Sequence, residues 1–279
     1  MGFSDSKEAF MSVPVTLTEL WIYPIKSFPG LSVDRLTFDA AGPVDDRRWM
    51  LVDEKGKFVS QRGLPKLASF GMARLDAGYT VTAPDGDSAV LPEPGQAGES
   101  FAVTVWKDEL QAHEVSPELS QWFSAKLGKR VHLVHTGPAS ERRIPDPGTY
   151  DHERVGFADG YPLLICNEAS LDGLNEASGL TLDMRRFRPN VVVRGAEDRS
   201  ELMLGRLNLP EGHIDLLKTC VRCNIPAIDP DTATYQKDVA AQLKTHCEWD
   251  GSTIFGVNGV ARGVTGLTVG DTALYSAQA

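Results

Sequence analysis

The sequence lacks any apolar run long enough to cross a bilayer, and it has only four cysteines in 279 residues. A membrane-spanning helix needs about 20 mostly apolar residues. The first twelve residues, MGFSDSKEAFMS, carry mixed charges and have no apolar core of a secretory signal. Few cysteines without such a signal favour reduced thiols over a disulfide scaffold. These absences predict a cytoplasmic protein with no membrane span.

A net positive charge is also missing. The 38 acidic residues outnumber the 28 basic ones, which gives a formal net charge of −10. Because binding to a phosphate backbone needs clustered cations, this charge argues against a general nucleic-acid or anionic-membrane binder. A local basic pocket for one small anion remains compatible with it. The P-loop, the G-x-G-x-x-G loop, the H-E-x-x-H zinc motif and the G-x-S-x-G elbow are absent as well.

What the first part of the chain does contain is a series of short β-rich segments separated by turn signals. Hairpins are predicted around residues 53–56, 84–87 and 107–109, with a strand on each side of every turn. Strands at this spacing indicate a small barrel or sandwich. Ser116 then has the position of a helix cap, and Gly128 the position of a helix end.

The second part mixes strands and helices. Residues 136–157 are polar and aperiodic, which predicts a long loop at a domain junction. Asn167 is predicted to cap a helix. Further strands are expected near 131–135, 162–166, 190–194 and 214–218, a short helix at 238–245, and a closing strand pair within 266–275.

One motif concentrates chemically useful side chains. Cys220, Arg222 and Cys223 follow an apolar segment, and the turn 229–231, Asp-Pro-Asp, comes shortly after them. A thiolate binds soft metals and attacks electrophiles, and a neighbouring guanidinium favours the thiolate over the thiol. This motif is therefore the first candidate for a reaction centre.

From the residues alone the motif has three interpretations. A redox dithiol is one, although Pro226 gives poor helix context after it. Half of a zinc site is another, completed by His246 and Cys247, but two adjacent ligands converge badly on a tetrahedral ion. The third is a pair of structural thiols in a strand.

Polar residues at several turns form a second signal. Lys26 and Ser27 lie in a turn, Arg47 precedes a strand, and Arg188 and Asn190 flank a proline at the start of another strand. Cations at separate turns of an acidic chain can converge on one anionic ligand. Each is equally compatible with a solvated surface charge.

Asp159 is the remaining candidate. It lies just before a predicted buried strand. That position suits a carboxylate of a functional site, and it suits a turn cap equally well.

The motifs occur in a fixed order: LWIYPIKS at 20–27, DRRW at 46–49, NEASL at 167–171, FRPN at 187–190, C-x-R-C at 220–223, DPDT at 229–232 and VGD at 269–271. In this order they resemble the MOSC-domain proteins, specifically the mitochondrial amidoxime reducing component and its bacterial YcbX-like relatives. The resemblance extends over roughly residues 15 to 275.

The resemblance implies a mainly β (α+β) fold with two domains. After a flexible segment 1–12, an N-terminal MOSC-type β-barrel domain is expected at 13–135. A MOSC β-barrel domain with flanking helices is expected at 136–279.

It also implies a molybdenum cofactor, in which the dithiolene of molybdopterin holds the metal. Cys223 matches the family's cysteine ligand to molybdenum, and Asp159 falls near the metal. The residues at family positions that hold the pterin and its phosphate are Lys26, Ser27, Arg47, Arg188, Asn190 and Arg222. Soft thiolates suit the metal, and cations offset the desolvation of a phosphate.

The activity implied is the reduction of small N-hydroxylated compounds, with Asp159 assisting protonation of the departing oxygen. The chain ends at Ala279 without the four cluster cysteines of a ferredoxin domain, so we expect electrons from a separate flavin or iron–sulfur protein. Alternatives are a non-catalytic carrier of the cofactor or of sulfur, and a dithiol oxidoreductase using Cys220 and Cys223.

The sequence departs from the family pattern at several positions. Val221 replaces a common serine and Ala233 a common glycine. Gly160 and Tyr161 replace small hydroxyl residues of the mitochondrial enzymes, which predicts a reshaped substrate pocket.

Overall fold

The structure is a computed structural model that describes residues 12–93, 99–136 and 141–277. Within these ranges it contains 19 strands and three α-helices. The predicted mainly β fold with helices is therefore confirmed. The predicted flexible segment lies, except for residue 12, outside the described residues.

The first half of the chain is mostly β. It contains one helix, α1 (Pro117–Leu127), and the strands β1 (Val13–Ile22), β2 (Leu31–Val33), β3 (Arg35–Asp39), β4 (Gly42–Pro43), β5 (Trp49–Val52), β6 (Gly71–Arg74), β7 (Tyr79–Thr82), β8 (Ser88–Leu91), β9 (Ser100–Val105), β10 (Asp108–Glu114) and β11 (His132–His135).

The second half adds two helices and eight strands. They are α2 (Glu168–Ser178), α3 (Lys237–His246), β12 (Leu163–Asn167), β13 (Val191–Arg194), β14 (Gly205–Asn208), β15 (His213–Val221), β16 (Glu248–Trp249), β17 (Ser252–Arg262), β18 (Gly266–Thr268) and β19 (Thr272–Ala277).

Seven strands close into a barrel. Their order is β12, β13, β1, β19, β14, β15 and β17, and β17 pairs back with β12. Closure removes the open edges that an isolated sheet would expose. Strand β1 comes from the start of the chain but pairs with β13 and β19. The barrel thus includes chain from both sides of residue 135, and the domain boundary there stays a prediction.

Three smaller sheets are formed by strands of the first half together with β18 of the second half. One has four strands in the order β5, β11, β10, β9, and two have three strands, β6-β7-β8 and β18-β3-β4. The hairpins predicted around 84–87 and 107–109 are confirmed as β7 with β8 and β9 with β10.

The hairpin predicted around 53–56 forms without a regular second strand. Val59 N donates to Leu51 O at 2.8 Å and Asp53 N to Lys57 O at 2.9 Å, and Phe58 bridges Val52. The predicted closing pair within 266–275 is wrong. Strand β18 pairs with β3, and β19 pairs with β1 and β14, so long-range pairing replaces the local hairpin.

The helix caps follow the sequence signals. The side chain of Ser116 accepts a hydrogen bond from the Leu119 amide, and Asn167 accepts one from the Ala169 amide. Gly128 ends α1 with φ of 62°, a conformation that glycine adopts without strain. None of the helices in the described ranges is both long and apolar enough to cross a membrane.

A secondary core lies beneath the Cys220 segment and fixes the loops around it. Phe187 and Phe255 stack with ring centroids 3.8 Å apart, and both are buried. Cys166 and Cys247 are buried in the same cluster, and Cys220 packs against it. Since Phe187 is anchored in this core, the neighbouring Arg186 and Arg188 are held at fixed positions.

Candidate functional site

One cleft of about 830 Å³, partly open to solvent, contains every site residue predicted from the sequence. The loops that supply them follow β1 and β15 and precede β5, β12 and β13. The eight residues are Lys26, Ser27, Arg47, Asp159, Arg188, Asn190, Arg222 and Cys223. They are far apart in the chain, so the fold brings them together.

Three of these residues have left-handed backbone conformations. The φ angles are 67° for Ser27, 47° for Arg47 and 59° for Arg188. Non-glycine residues rarely adopt such angles, and strain of this kind concentrates at functional sites. The backbone around the cleft is therefore held in an unfavourable conformation by its surroundings.

The two cysteines of the motif have different environments. Cys223 is exposed, whereas Cys220 is half-buried against the Phe187 and Phe255 core. Both are free thiols. Both cysteines line the cleft, and Cys223 is the more accessible of the two to a ligand.

Arg222 is tied to Cys220 and to the backbone. Its Nη1 donates to the Cys220 sulfur at 3.0 Å, and its Nη2 donates to the Phe187 carbonyl at 2.8 Å. Burial lowers the pKa of Arg222, but the sulfurs of Cys220, Cys166 and Cys223 outweigh it and the pKa is raised. Its Nε is buried with no hydrogen-bond partner in the described structure.

Asn190 holds Arg47 in place. Its side-chain oxygen accepts from Arg47 Nη1 at 3.0 Å and from the Leu164 amide at 3.2 Å. Its side-chain nitrogen donates to Asp46 Oδ1 at 3.0 Å and to the Trp21 carbonyl at 3.1 Å. An asparagine side chain makes four hydrogen bonds in all. Asn190 therefore lines the cleft with its polar atoms already engaged by protein.

Tyr23 lies between two guanidinium groups. The Cζ atoms of Arg47 and Arg188 are each 4.2 Å from the centroid of its ring. Both distances are within the range of cation–π contact. Arg188 also donates to the Phe28 carbonyl at 2.7 Å. Burial lowers the pKa of Arg188 to about 10, which leaves it charged at neutral pH.

Lys26 and Asp159 form an ion pair at the cleft wall. Lys26 Nζ donates to Asp159 Oδ1 at 2.5 Å and to the Phe157 carbonyl at 2.7 Å. Trp106 donates to the same carboxylate oxygen at 3.0 Å. Desolvation raises the pKa of Asp159, although its side chain remains 66% exposed. The charge and hydrogen bond of Lys26 outweigh it and hold the pKa well below the usual value.

The charge of the cleft is positive. Five cations and a single carboxylate line it in the described structure. Lys26 is paired with Asp159 and Arg47 with Asp46. Across the part of the chain that the structure describes, Arg62, Arg188 and Arg222 have no ion pair with a carboxylate. The cleft can therefore stabilise an anion although the whole chain is acidic.

These features fit a ligand that combines a soft metal with a phosphate. An exposed thiol is available to the metal, and three unpaired guanidinium groups are available to the phosphate. The orphaned Arg222 Nε is an additional donor in the wall.

The zinc interpretation gains no support. In residues 12–93, 99–136 and 141–277 there is no group of three or more His, Cys, Asp or Glu side chains that could hold a metal ion. Cys247 is buried in the secondary core instead. After the motif a short 3₁₀ turn, Ile225–Ala227, takes the place of the α-helix that a thioredoxin-like dithiol would need.

Sequence reasoning missed four residues that shape the cleft. Tyr23 lies in the LWIYPIKS motif and Asp46 in the DRRW motif. The position of Asp46 directly before Arg47 is a signal for the ion pair between them. Arg62 and Trp106 gave no local signal. The Arg62 guanidinium carbon lies 4.2 Å from the Trp106 ring centroid, a contact between distant turns that only the fold creates.

Comparison with known proteins gives the family. Residues 14–130 match the MOSC N-terminal beta barrel domain, and residues 152–273 match the MOSC domain. "Mitochondrial amidoxime reducing component 2" of Bos taurus is 30% identical over 92% of this chain and 82% of its own length. This chain belongs to the MOSC-domain family of the amidoxime reducing components.

Other MOSC relatives extend the comparison. "Mitochondrial amidoxime-reducing component 1" of Mus musculus is 30% identical over 86% of this chain and 74% of its own. "Molybdenum cofactor sulfurase" of Oryza sativa subsp. japonica is 26% identical over 87% of this chain, which is 32% of that protein. The name of the Oryza sativa protein refers to the molybdenum cofactor.

Proposed function

We propose that this MOSC protein is a molybdenum-cofactor-dependent reductase of small N-hydroxylated compounds such as amidoximes, hydroxylamines or hydroxylaminopurines. Two electrons from a separate flavin or iron–sulfur protein and two protons convert each N-hydroxyl group to an N–H group and water. The observation that carries the proposal is the exposed Cys223 thiol in a cleft with three unpaired guanidinium groups. The names of the relatives indicate the substrate class.

Cys223 is proposed to bind molybdenum through its sulfur. Arg188 and Arg222 are proposed to offset the negative charge of the cofactor phosphate. When bound, the cofactor supplies the two-electron chemistry that reduces an N–O bond. The protein positions it and sets the charge around it.

The remaining residues act mainly by positioning. Asn190 fixes Arg47, and Asp159 fixes the ammonium of Lys26. Because the lowered pKa keeps the Asp159 carboxyl ionised at neutral pH, Asp159 suits this task better than the proton donation expected from the sequence.

The experiment is turnover of an amidoxime and of a hydroxylaminopurine by protein co-expressed with the genes of cofactor synthesis. Reduced methyl viologen replaces the unknown donor protein. We expect wild type and Cys220→Ala to be active and Cys223→Ala to be inactive. Full activity of Cys223→Ala would contradict the proposal.

A cofactor carrier is the second candidate, because one relative is named a molybdenum cofactor sulfurase. A carrier binds the cofactor but reduces no N-hydroxy compound with any donor. The dithiol oxidoreductase differs from both, since it needs no molybdenum and loses activity in Cys220→Ser. The cytoplasmic location stays a prediction, and the relatives named above carry the word mitochondrial.

A further inference from the structure

A second pocket of about 500 Å³ adjoins the cleft and shares Arg188 and Ile225 with it. We call it the side pocket, and its walls include Trp21, Ala68 and Ile228. Ile225 lies two residues after Cys223, and both line the cleft, so the junction of the two cavities involves the same loop as the exposed thiol. No role described above uses this pocket.

Two buried polar atoms of the side-pocket residues lack hydrogen-bond partners in the described structure: Tyr23 Oη and Arg186 Nε. Tyr23 is 2% exposed and Arg186 is 8% exposed, and both line the pocket. Buried donors without partners are rare and costly. A ligand with acceptor atoms would satisfy them.

The charge of the side pocket selects among ligands. Arg185, Arg186 and Arg188 line the side pocket, and among the described residues no carboxylate lines it. Because this lining offers no carboxylate to a positively charged ring, it favours a neutral or anionic one. Trp21 adds an aromatic surface, and its indole is held by a 2.7 Å hydrogen bond to Glu19.

We propose that the side pocket binds the non-reacting part of the substrate, a planar heteroaromatic ring with acceptor atoms and no positive charge. The N-hydroxyl group then extends past Arg188 and Ile225 toward Cys223. This inference rests on the proposed function and names the substrate class for the same site. Binding energy from such a remote group is what distinguishes one substrate from another.

The test compares a ring substrate, 6-N-hydroxylaminopurine, with hydroxylamine, which has no ring. Ala68→Leu fills the pocket, and Trp21→Ala removes its aromatic wall. We expect each variant to raise KM for the purine about tenfold and to leave KM for hydroxylamine within about twofold. Trp249→Ala is the matched control, because Trp249 lines neither cavity. It should change neither KM.

Two results would overturn the proposal. One is an equal change in KM for both substrates. The other is loss of molybdenum from Ala68→Leu and Trp21→Ala, which would assign the pocket to the cofactor.

If wild type reduces neither substrate, the proposed function fails, and a binding measurement then tests the side pocket separately. We then expect adenine, and not the cation benzamidine, to quench tryptophan fluorescence in wild type but not in Trp21→Ala. No quenching by adenine, or quenching by benzamidine, would contradict it.

Discussion

Arg222 donates a hydrogen bond to the sulfur of Cys220 at 3.0 Å. Cys220 is also half-buried against the secondary core, whereas Cys223 is exposed in the cleft. The two thiols of one motif therefore have different environments. Cys220 accepts a hydrogen bond from the arginine, and Cys223 is exposed in the cleft, which agrees with its proposed role as the metal ligand.

Replacing Arg188 tests the positive charge of the cleft. Its guanidinium has no carboxylate partner in the described structure and lines the cleft. We expect Arg188→Gln to weaken retention of the molybdenum cofactor about tenfold, the equivalent of about 1.4 kcal/mol. Molybdenum per chain after gel filtration measures this. Arg185→Gln is the control, since Arg185 pairs with Asp183 and Asp231 outside the cleft. Equal retention in the two variants would refute the role of Arg188.

Replacing Asn190 tests the hydrogen-bond network that holds Arg47 and Asp46 at the cleft. Asn190→Ala removes one hydrogen bond each from Asp46, Arg47, the Leu164 amide and the Trp21 carbonyl, so we expect a loss of about 2–4 kcal/mol in the free energy of unfolding. Urea denaturation measures this loss. Asn208→Ala, which removes bonds at the surface, should cost less than about 1 kcal/mol. A similar loss of unfolding free energy in both variants would mean that the Asn190 hydrogen bonds contribute little to stability.

The Lys26–Asp159 pair predicts a dependence of stability on pH. The pKa of Asp159 is lowered in the folded state, below the ordinary value of 3.8. The stability it contributes is therefore present above pH 3.8 and is lost as the pH falls from there toward the folded pKa. We expect thermal unfolding between pH 7 and pH 2.5 to show that wild type loses this contribution to stability at low pH. Asp159→Asn and Lys26→Met should lack the contribution at every pH, so their stability should fall less over the same range. An identical pH profile for all three proteins would rule the ion pair out as its cause.

Gly30 tests the position of Tyr23. A Cβ at residue 30 would lie 2.5 Å from Tyr23 Cε1, and the Tyr23 ring is buried and in contact with the guanidinium groups of Arg47 and Arg188. We expect Gly30→Ala to cost about 1–3 kcal/mol of stability. At Gly63 the nearest atom to an added Cβ is 4.0 Å away, so Gly63→Ala should be close to neutral. A neutral Gly30→Ala would show that the Tyr23 ring is mobile.

Local signals predicted the local structure well. The caps at Ser116 and Asn167 and two of three hairpins follow from turn and cap chemistry. Pairing between distant strands could not be predicted in this way. Strand β5, for example, pairs with β11, which comes much later in the chain, and Met50 and Val134 of this pair are buried together.

The candidate site could likewise be predicted in part from the sequence. Motif order led to the eight predicted residues, and the structure places them in one cleft. Residue type alone did not distinguish Cys220 from Cys223, since their difference comes from packing against Phe187 and Phe255. The depressed pKa of Asp159 depends on Lys26, 133 residues away in the chain, and no local pattern signals that contact.

The most direct measurement is the molybdenum content of wild type, Cys223→Ala and Cys220→Ala, each co-expressed with the genes of cofactor synthesis. Mass spectrometry of the folded proteins gives the metal per chain. We predict about one molybdenum in wild type and in Cys220→Ala, and little or none in Cys223→Ala, because Cys223 is the exposed thiol whereas Cys220 is half-buried and accepts a hydrogen bond from Arg222. Molybdenum retained in full by Cys223→Ala, or absent from all three proteins, would contradict the account.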